Sequence, residues 1–191
     1  ELILRTGVKQ QAAAAQYLRI LEPIEVQDGP KSARLLPTND DAFHLEAEID
    51  FASEAIGRQK KSICLTATSF ARELAFARTF GFYRDIKKLH SMGLGQGASL
   101  ENAIAVEDDK ILNPEGLRVE DEFIRHKILD AVGDLALIGH RIIGRYESEQ
   151  PGHSINNLLV REVLKQKEKW VLETRKAKSA PLSAAHIAAC L

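Results

Sequence analysis

Side chains able to do chemistry concentrate in FIRHKILDAVGDL, Phe123 to Leu135, where His126, Asp130 and Asp134 recur at every fourth position. A step of four residues advances about 40° around a helix, so the three fall on one stripe roughly 80° wide and can reach one common object. An imidazole nitrogen and a carboxylate oxygen four residues apart form a two-ligand metal platform suited to zinc, and also to iron or cobalt. Ile124, Ile128, Ala131 and Leu135 lie nearly opposite. That is equally what a surface helix shows when its apolar side meets a core and its charges meet water. The stripe alone leaves both readings open.

Two further clusters carry reactive groups. PGHSINN, Pro151 to Asn157, puts His153 on a loop that enters a helix. Loops held by rigid elements are where catalytic groups concentrate, and an imidazole donates a proton near neutral pH when a carboxylate holds its other nitrogen. Asp134 is a candidate for that carboxylate; the alternative is an ordinary loop histidine. ARTFGF, Ala77 to Phe82, offers the Thr79 hydroxyl to polarise a carbonyl or hold an oxyanion, and the Phe80 ring to stack on a sugar face. Its plain reading is a helix end turning into a strand with two core aromatics. Of the other histidines, His44 reads as the surface of a strand, His90 as a cation at the negative end of a helix, His140 as structural, and His186 as part of the tail.

The elements that must position these groups follow from apolar periodicity. An amphipathic helix is expected over Leu2 to Leu18. From Tyr17 the pattern turns to alternation: YLRILEPIEVQDG, a turn at Asp28 to Pro30, then SARLLP, read as a hairpin; AFHLEAEIDF and KSICLTATS continue it. Four strands in series imply a meander. Ser69 is the expected N-cap of a helix through FARELAFA, with Glu73 supporting its first turn. A helix from about Arg84 to Ser91 runs into a stretch holding Gly93, Gly95 and Gly97, and NAIAVEDDKILN reads as two short strands around an acidic turn. Next come a helix over about Asp121 to Ile138, a strand in GHRIIGRYESEQ, a helix in SINNLLVREVLKQKEK, and a final strand at Val171 to Thr174. The expected fold class is α+β: a two-layer sandwich of a mostly antiparallel sheet packed on helices, with a β-α-β-like insertion at about 84–113.

The 191 residues are 45% hydrophobic, enough to bury a core for one domain. A formal charge of −1 gives no field that would favour nucleic acid or an anionic membrane, so any anionic ligand must be held locally. No apolar run reaches the length of a transmembrane segment, and the N-terminus lacks a signal-peptide pattern. Cys64 and Cys190 match neither a disulfide framework nor a Cys-x-x-Cys metal spacing, which makes a reducing, cytoplasmic location the expectation. The opening ELILRTGVKQQ, without Met and partway through a helical pattern, reads as part of something longer.

Taken together and in order, ARTFGFYRDI, NPEGLRVEDEFIRHKILDAVGDLALIGHRIIG and GHSINN closely resemble the second domain of the zinc-dependent UDP-3-O-acyl-N-acetylglucosamine deacetylases, the LpxC family of lipid A biosynthesis. The similarity runs from about Tyr17 to the tail. It implies two like α+β domains with the active site in the cleft between them. Residues 1–16 would then be the last helix of the first domain, 17–174 the second domain, and 175–191 a flexible tail. It makes His126 and Asp130 two of three zinc ligands. It gives Thr79 to the developing oxyanion, Lys127 to charge in the substrate or intermediate, and His153 to the general acid of the departing amine, with Asp134 as its carboxylate partner. Phe80 would lie against the sugar, and the insertion, with Gly97 and Ser99, would receive the fatty acyl chain of the UDP-3-O-acyl-glucosamine substrate.

The family's third ligand and its glutamate base form a Glu-His pair in the first domain, and no such pair occurs in this sequence. The resemblance therefore implies a half site, inactive until the first domain or a chain carrying it is supplied. The alternative is a binding module that holds an acyl chain or nucleotide sugar without turnover, through the insertion and Arg125, Lys127 and Arg141.

Overall fold

A computed structural model describes residues 13–175. Cys190, His186 and the tail beyond Arg175 lie outside the described residues, as does most of the helix expected from Leu2; the side chain of His90 is likewise not described. That helix does not extend to Leu18, because Ala15–Ile20 is already a strand, β1. After it come β2 (Ile24–Asp28), β3 (Lys31–Leu36), β4 (Phe43–Asp50), β5 (Arg58–Cys64), β6 (Thr79–Phe82), α1 (Tyr83–Ser91), β7 (Ala103–Glu107) and β8 (Lys110–Ile111). The order ends with α2 (Glu122–Leu135), β9 (Arg141–Glu149), α3 (His153–Lys165) and β10 (Trp170–Arg175).

The expected class holds: a seven-stranded sheet packs on helices, and a separate three-stranded sheet lies between β5 and α2 in the chain. Four ladders of the large sheet are antiparallel and two parallel, so it is mostly antiparallel. It is not a meander. The expected hairpin exists as β2 and β3, joined at Gly29 and Pro30, and β4 pairs with β5. Between these two hairpins lies β9, antiparallel to β3 and parallel to β4, while its first residues pair in parallel with β1. Alternation along a strand tells which side chains face the core but carries no information about which strand lies alongside. The run Ile142, Ile143, Gly144, Tyr146 and Ser148, all buried, marks β9 as the central strand.

One apolar layer joins sheet to helices. Leu18, Leu35, Leu45, Ala47, Ile49 and Tyr146 face Ile124, Ile128, Ala131 and Leu135 of α2 and Ile155, Leu159 and Val163 of α3. The helix α3 lies over β2 and β3, α2 over β4 and β5, and the two pack against each other. A 3-10 turn, Ala136–Ile138, ends α2, and Gly139 takes the left-handed conformation (φ 84°) that closes it and releases the chain into β9.

The helix expected to start at Ser69 differs in kind. Thr66 is the N-cap, its hydroxyl accepting from the Ser69 amide while Ser69 Oγ accepts from the Thr66 amide. Ser69 is the far member of this capping box, and the segment widens at once into a π turn, Phe70–Leu74. Glu73 lies in the first turn of that π segment, and its carboxylate pairs with Lys61 and with Arg125 of α2. The β-α-β unit is β6, α1 and β7, with Thr79 to Phe82 parallel to Ala103 to Val106, so it begins at Thr79 and not at Arg84.

At Gly144, β9 passes close to two neighbours: an added Cβ would stand 2.9 Å from the Leu36 carbonyl oxygen and 3.0 Å from Ile20 Cγ1. Neither a carbonyl held in a ladder nor a buried isoleucine can step aside cheaply. Gly144→Ala should therefore lower the urea midpoint by the equivalent of about 1–3 kcal/mol with an unchanged m-value; an unaltered midpoint would show that the crossing has slack.

Candidate active site

The stripe on α2 meets three environments along its length. At its first turn Glu122 is fully buried under the segment that leads into β6. Arg78, also buried, reaches it with three donors: its backbone N–H and Nε to Oε1, both at 3.0 Å, and Nη2 to Oε2 at 3.1 Å. The Arg118 amide donates to Oε2 at 2.7 Å, and Arg78 Nη2 also reaches the Gly116 carbonyl at 2.8 Å. Burial works against the charge on Glu122. The Arg78 guanidinium and the Arg118 and Arg78 amides outweigh it and hold the carboxyl below the usual glutamate range. This pair docks the strand bearing Thr79 and Phe80 onto the helix bearing His126.

One turn on, His126 and Asp130 are mostly covered, with side chains 13% and 12% exposed. His126 Nδ1 faces the Ala77 carbonyl at 3.4 Å, which turns Nε2 to Asp130 Oδ1 at 3.2 Å. Two donors held about 2.0–2.2 Å from a tetrahedral ion stand roughly 3.3 Å apart, so the observed spacing fits a shared cation as well as it fits a hydrogen bond. A carbonyl at the second nitrogen is the usual orienting partner of a metal-binding histidine. Burial, with Lys127 adding to it and Asp130 opposing, holds His126 below the ordinary imidazole range, favouring the neutral ring that a metal requires. Among the described residues no three His, Cys, Asp or Glu side chains are placed to hold a metal ion.

Around this pair, Phe80 stands in a T-shaped arrangement with the His126 ring, centroids 6.1 Å apart, and packs on Phe123 at 4.9 Å and Phe51 at 5.8 Å. Lys127 Nζ lies 5.2 Å from the Phe80 ring centre and 3.3 Å from Asp130 Oδ2. Thr79 is exposed between Ala77 and Phe80, both of which lie against His126. At the third turn Asp134 faces α3, where His153 Nδ1 lies 3.0 Å and 2.9 Å from its two oxygens. The His153 ring is otherwise open, 70% exposed.

The structure thus brings together His126, Asp130, Lys127, Phe80 and Thr79, with Asp134 and His153 one turn further. Gly97 and Ser99 sit apart, on the exposed loop after α1. Asn102 ties that loop down, accepting from the Ser99 amide and donating to the Gly97 carbonyl. Ser99 also borders a small apolar cavity of about 140 Å³ with Tyr83, Ile86, Ala98, Leu100, Ala103 and Ala105; Gly97 does not. Asn113, buried, closes the unit by bonding Leu100, Ala103 and Ala105. Of the cations considered for a binding module, Arg125 is taken by Asp121 and Glu73, and Arg141 by Tyr17. His44 is half-buried and bonds Asp40 at 2.8 Å, while His140 is half-buried beside β9.

Motifs alone do not single out Arg78, Glu122, Asn156 or Tyr146. Stepping back four residues from His126 along the same stripe reaches Glu122, a signal that was there to follow. An arginine inside FARELAFARTFGF is another, since so apolar a run asks what satisfies its charge.

Comparison with known proteins gives one family. A model of the LpxC family, described as UDP-3-O-acyl N-acetylglycosamine deacetylase, matches residues 1–165. A protein of Phenylobacterium zucineum named UDP-3-O-acyl-N-acetylglucosamine deacetylase is 46% identical over 170 residues, 89% of this chain and 57% of that protein. Proteins of the same name from Shewanella woodyi and Shewanella frigidimarina are 44% and 43% identical, covering 95% and 90% of this chain and 60% and 56% of their own lengths. The chain spans somewhat under two thirds of the length of these relatives.

The buried pair at the head of the stripe makes a measurable demand. Glu122→Gln leaves the Arg78 guanidinium buried beside a neutral amide and should cost about 3–5 kcal/mol of stability at pH 7. Glu122 has its folded pKa depressed, so its contribution is complete above the ordinary glutamate value and is lost as pH falls through the folded one. Unfolding free energy should therefore fall less steeply in acid for the variant than for the parent, and the two curves should converge; parallel curves would show that the pair is not ionic.

Proposed function

Because the chain belongs to the LpxC family, we propose that it is the second-domain part of a zinc-dependent deacetylase that removes acetate from UDP-3-O-acyl-N-acetylglucosamine in lipid A biosynthesis, in the cytoplasm. One observation carries this reading: on a single face of α2, His126 and Asp130 converge at 3.2 Å, and one turn later Asp134 grips His153. A cation site and a proton donor on one rigid helix are what amide hydrolysis needs.

His126 Nε2 and Asp130 would hold zinc, with the third ligand and the general base coming from a first domain. Zinc, when bound, supplies Lewis acidity to the acetamide carbonyl and to the attacking water. Lys127, beside the ligands and against Phe80, offers positive charge where the carbonyl oxygen becomes anionic, and the exposed Thr79 hydroxyl offers a hydrogen bond there. His153 delivers a proton from Nε2 to the departing amine, since Nδ1 is occupied by Asp134. Phe80 presents a face to the sugar. The apolar cavity bordered by Ser99 and Leu100 suits part of an acyl chain, and Gly97 belongs to the loop that borders it.

The test joins this chain to the preceding region of the Phenylobacterium relative and follows acetate release from the UDP-sugar. Activity should appear only with zinc, vanish on chelation and return on adding zinc back. His126→Ala and Asp130→Ala should each lower bound zinc and reduce kcat/KM by about 10²-fold or more. Zinc content unchanged in both variants would defeat the ligand assignment. Substrate binding that survives both, with no turnover in the joined protein, would favour the binding module.

A further inference from the structure

We propose that Tyr146 and Asn156 form a buried brace that fixes the Asp134 carboxylate and, through it, which nitrogen of His153 faces outward, so that Asn156 is a positioning residue for the proton donor. The claim rests on the reading of His153 given above.

Four groups on three elements stand in one line of hydrogen bonds. Tyr146 of β9 and Asn156 of α3 are both fully buried. Tyr146 Oη lies 2.6 Å from Asn156 Oδ1, and Asn156 Nδ2 lies 2.9 Å from Asp134 Oδ2, the oxygen that is also 2.9 Å from His153 Nδ1. The direction of each bond follows from elementary chemistry. An ionised carboxylate can only accept, so the Asn156 amide must turn its NH₂ toward Asp134 and its oxygen toward Tyr146. An amide oxygen can only accept, so the phenol must donate. Burial keeps the Tyr146 phenol well above its ordinary range, which leaves that donor in place at every relevant pH.

The same logic reaches the imidazole. With Asp134 held by Asn156, Nδ1 must carry the hydrogen toward the carboxylate, and the neutral ring presents a bare Nε2 to solvent. On protonation Nε2 gains the proton that a leaving amine would take. Without the brace, Asp134 could swing about its own side-chain torsions, and a ring that is 70% exposed has little else to orient it. Neither residue touches a substrate atom in this arrangement; both act through Asp134.

Nitrogen-15 NMR of the imidazoles of this chain tests the brace. The neutral His153 ring should be predominantly the Nδ1–H form in the parent. Asn156→Leu should return it to the Nε2–H form that free histidine prefers, and Tyr146→Phe, which keeps the ring and removes one hydroxyl, should shift the ratio partway. Asn156→Leu sets an apolar group against a carboxylate, so Tyr146→Phe decides the matter if that variant does not fold. A tautomer ratio in folded Tyr146→Phe equal to that of the parent overturns the brace.

In the joined, active enzyme, both substitutions should lower kcat, Asn156→Leu by about 10-fold or more, with KM within about twofold. An altered tautomer with unaltered kcat would overturn the positioning role. His153→Ala with full kcat would instead remove the proton-donor reading, while the NMR result would stand by itself.

Discussion

The ion pair between Arg78 and Glu122 joins the small sheet to the helix layer that covers the large one. Taking a guanidinium and a carboxylate out of water costs several kcal/mol for each ion, and the attraction between them offsets this only when the remaining donors and lone pairs are also used. Here they are: Glu122 receives Arg78 through side chain and backbone and Arg118 through its amide, while Arg78 extends to Gly116 and Glu115. A planar fork meeting a planar carboxylate sets rotation as well as distance. Two apolar residues of the same volume would fill the space without setting the angle at which β6 crosses α2. That angle decides where Phe80 and the Ala77 carbonyl meet His126.

From this anchor the site grades from closed on α2 to open on α3. Glu122 has no exposure, His126, Asp130 and Asp134 keep about an eighth of theirs, and His153, brought in by α3, is largely free. The gradient separates tasks that need different surroundings. Partial burial suits donors that must stay deprotonated and bind a cation, whereas a group that exchanges protons works better in contact with water. One helix thus serves two kinds of chemistry, carrying the cation donors itself and holding the open imidazole of α3 through Asp134.

Much of this was legible in the sequence, and the limits have physical causes. The four-residue spacing of His126, Asp130 and Asp134, opposite Ile124, Ile128, Ala131 and Leu135, located the helix and both its faces. Alternation found the strands, and the Asp28 to Pro30 turn found the hairpin. Sheet order was not legible, since a strand pattern such as that of β9 is the same whether its neighbour is β1, β3 or β4. Ser69 misled because a serine before an apolar run caps a helix equally well as its first residue or as the fourth residue of a box begun by Thr66. Arg78 and Asn156 stand inside the recognisable motifs without revealing what they do. Their significance lies in partners far along the chain, Glu122 and the Asp134 and Tyr146 pair, and periodicity reports only near neighbours.

The placement of β9 also bears on how the chain comes into being. Leu18, Leu35 and Leu45 all lie in strands whose neighbour is a segment centred on Tyr146. At about 5–20 residues per second, a translating ribosome would leave the two early hairpins side by side without their shared middle strand for on the order of ten seconds. Through that interval β3 and β4 each carry an open row of amides and carbonyls next to an apolar face, a combination that invites association with other chains. Nascent-chain protection is therefore needed most while residues 65–140 are being made, and it ends when β9 slots between two strands made before it.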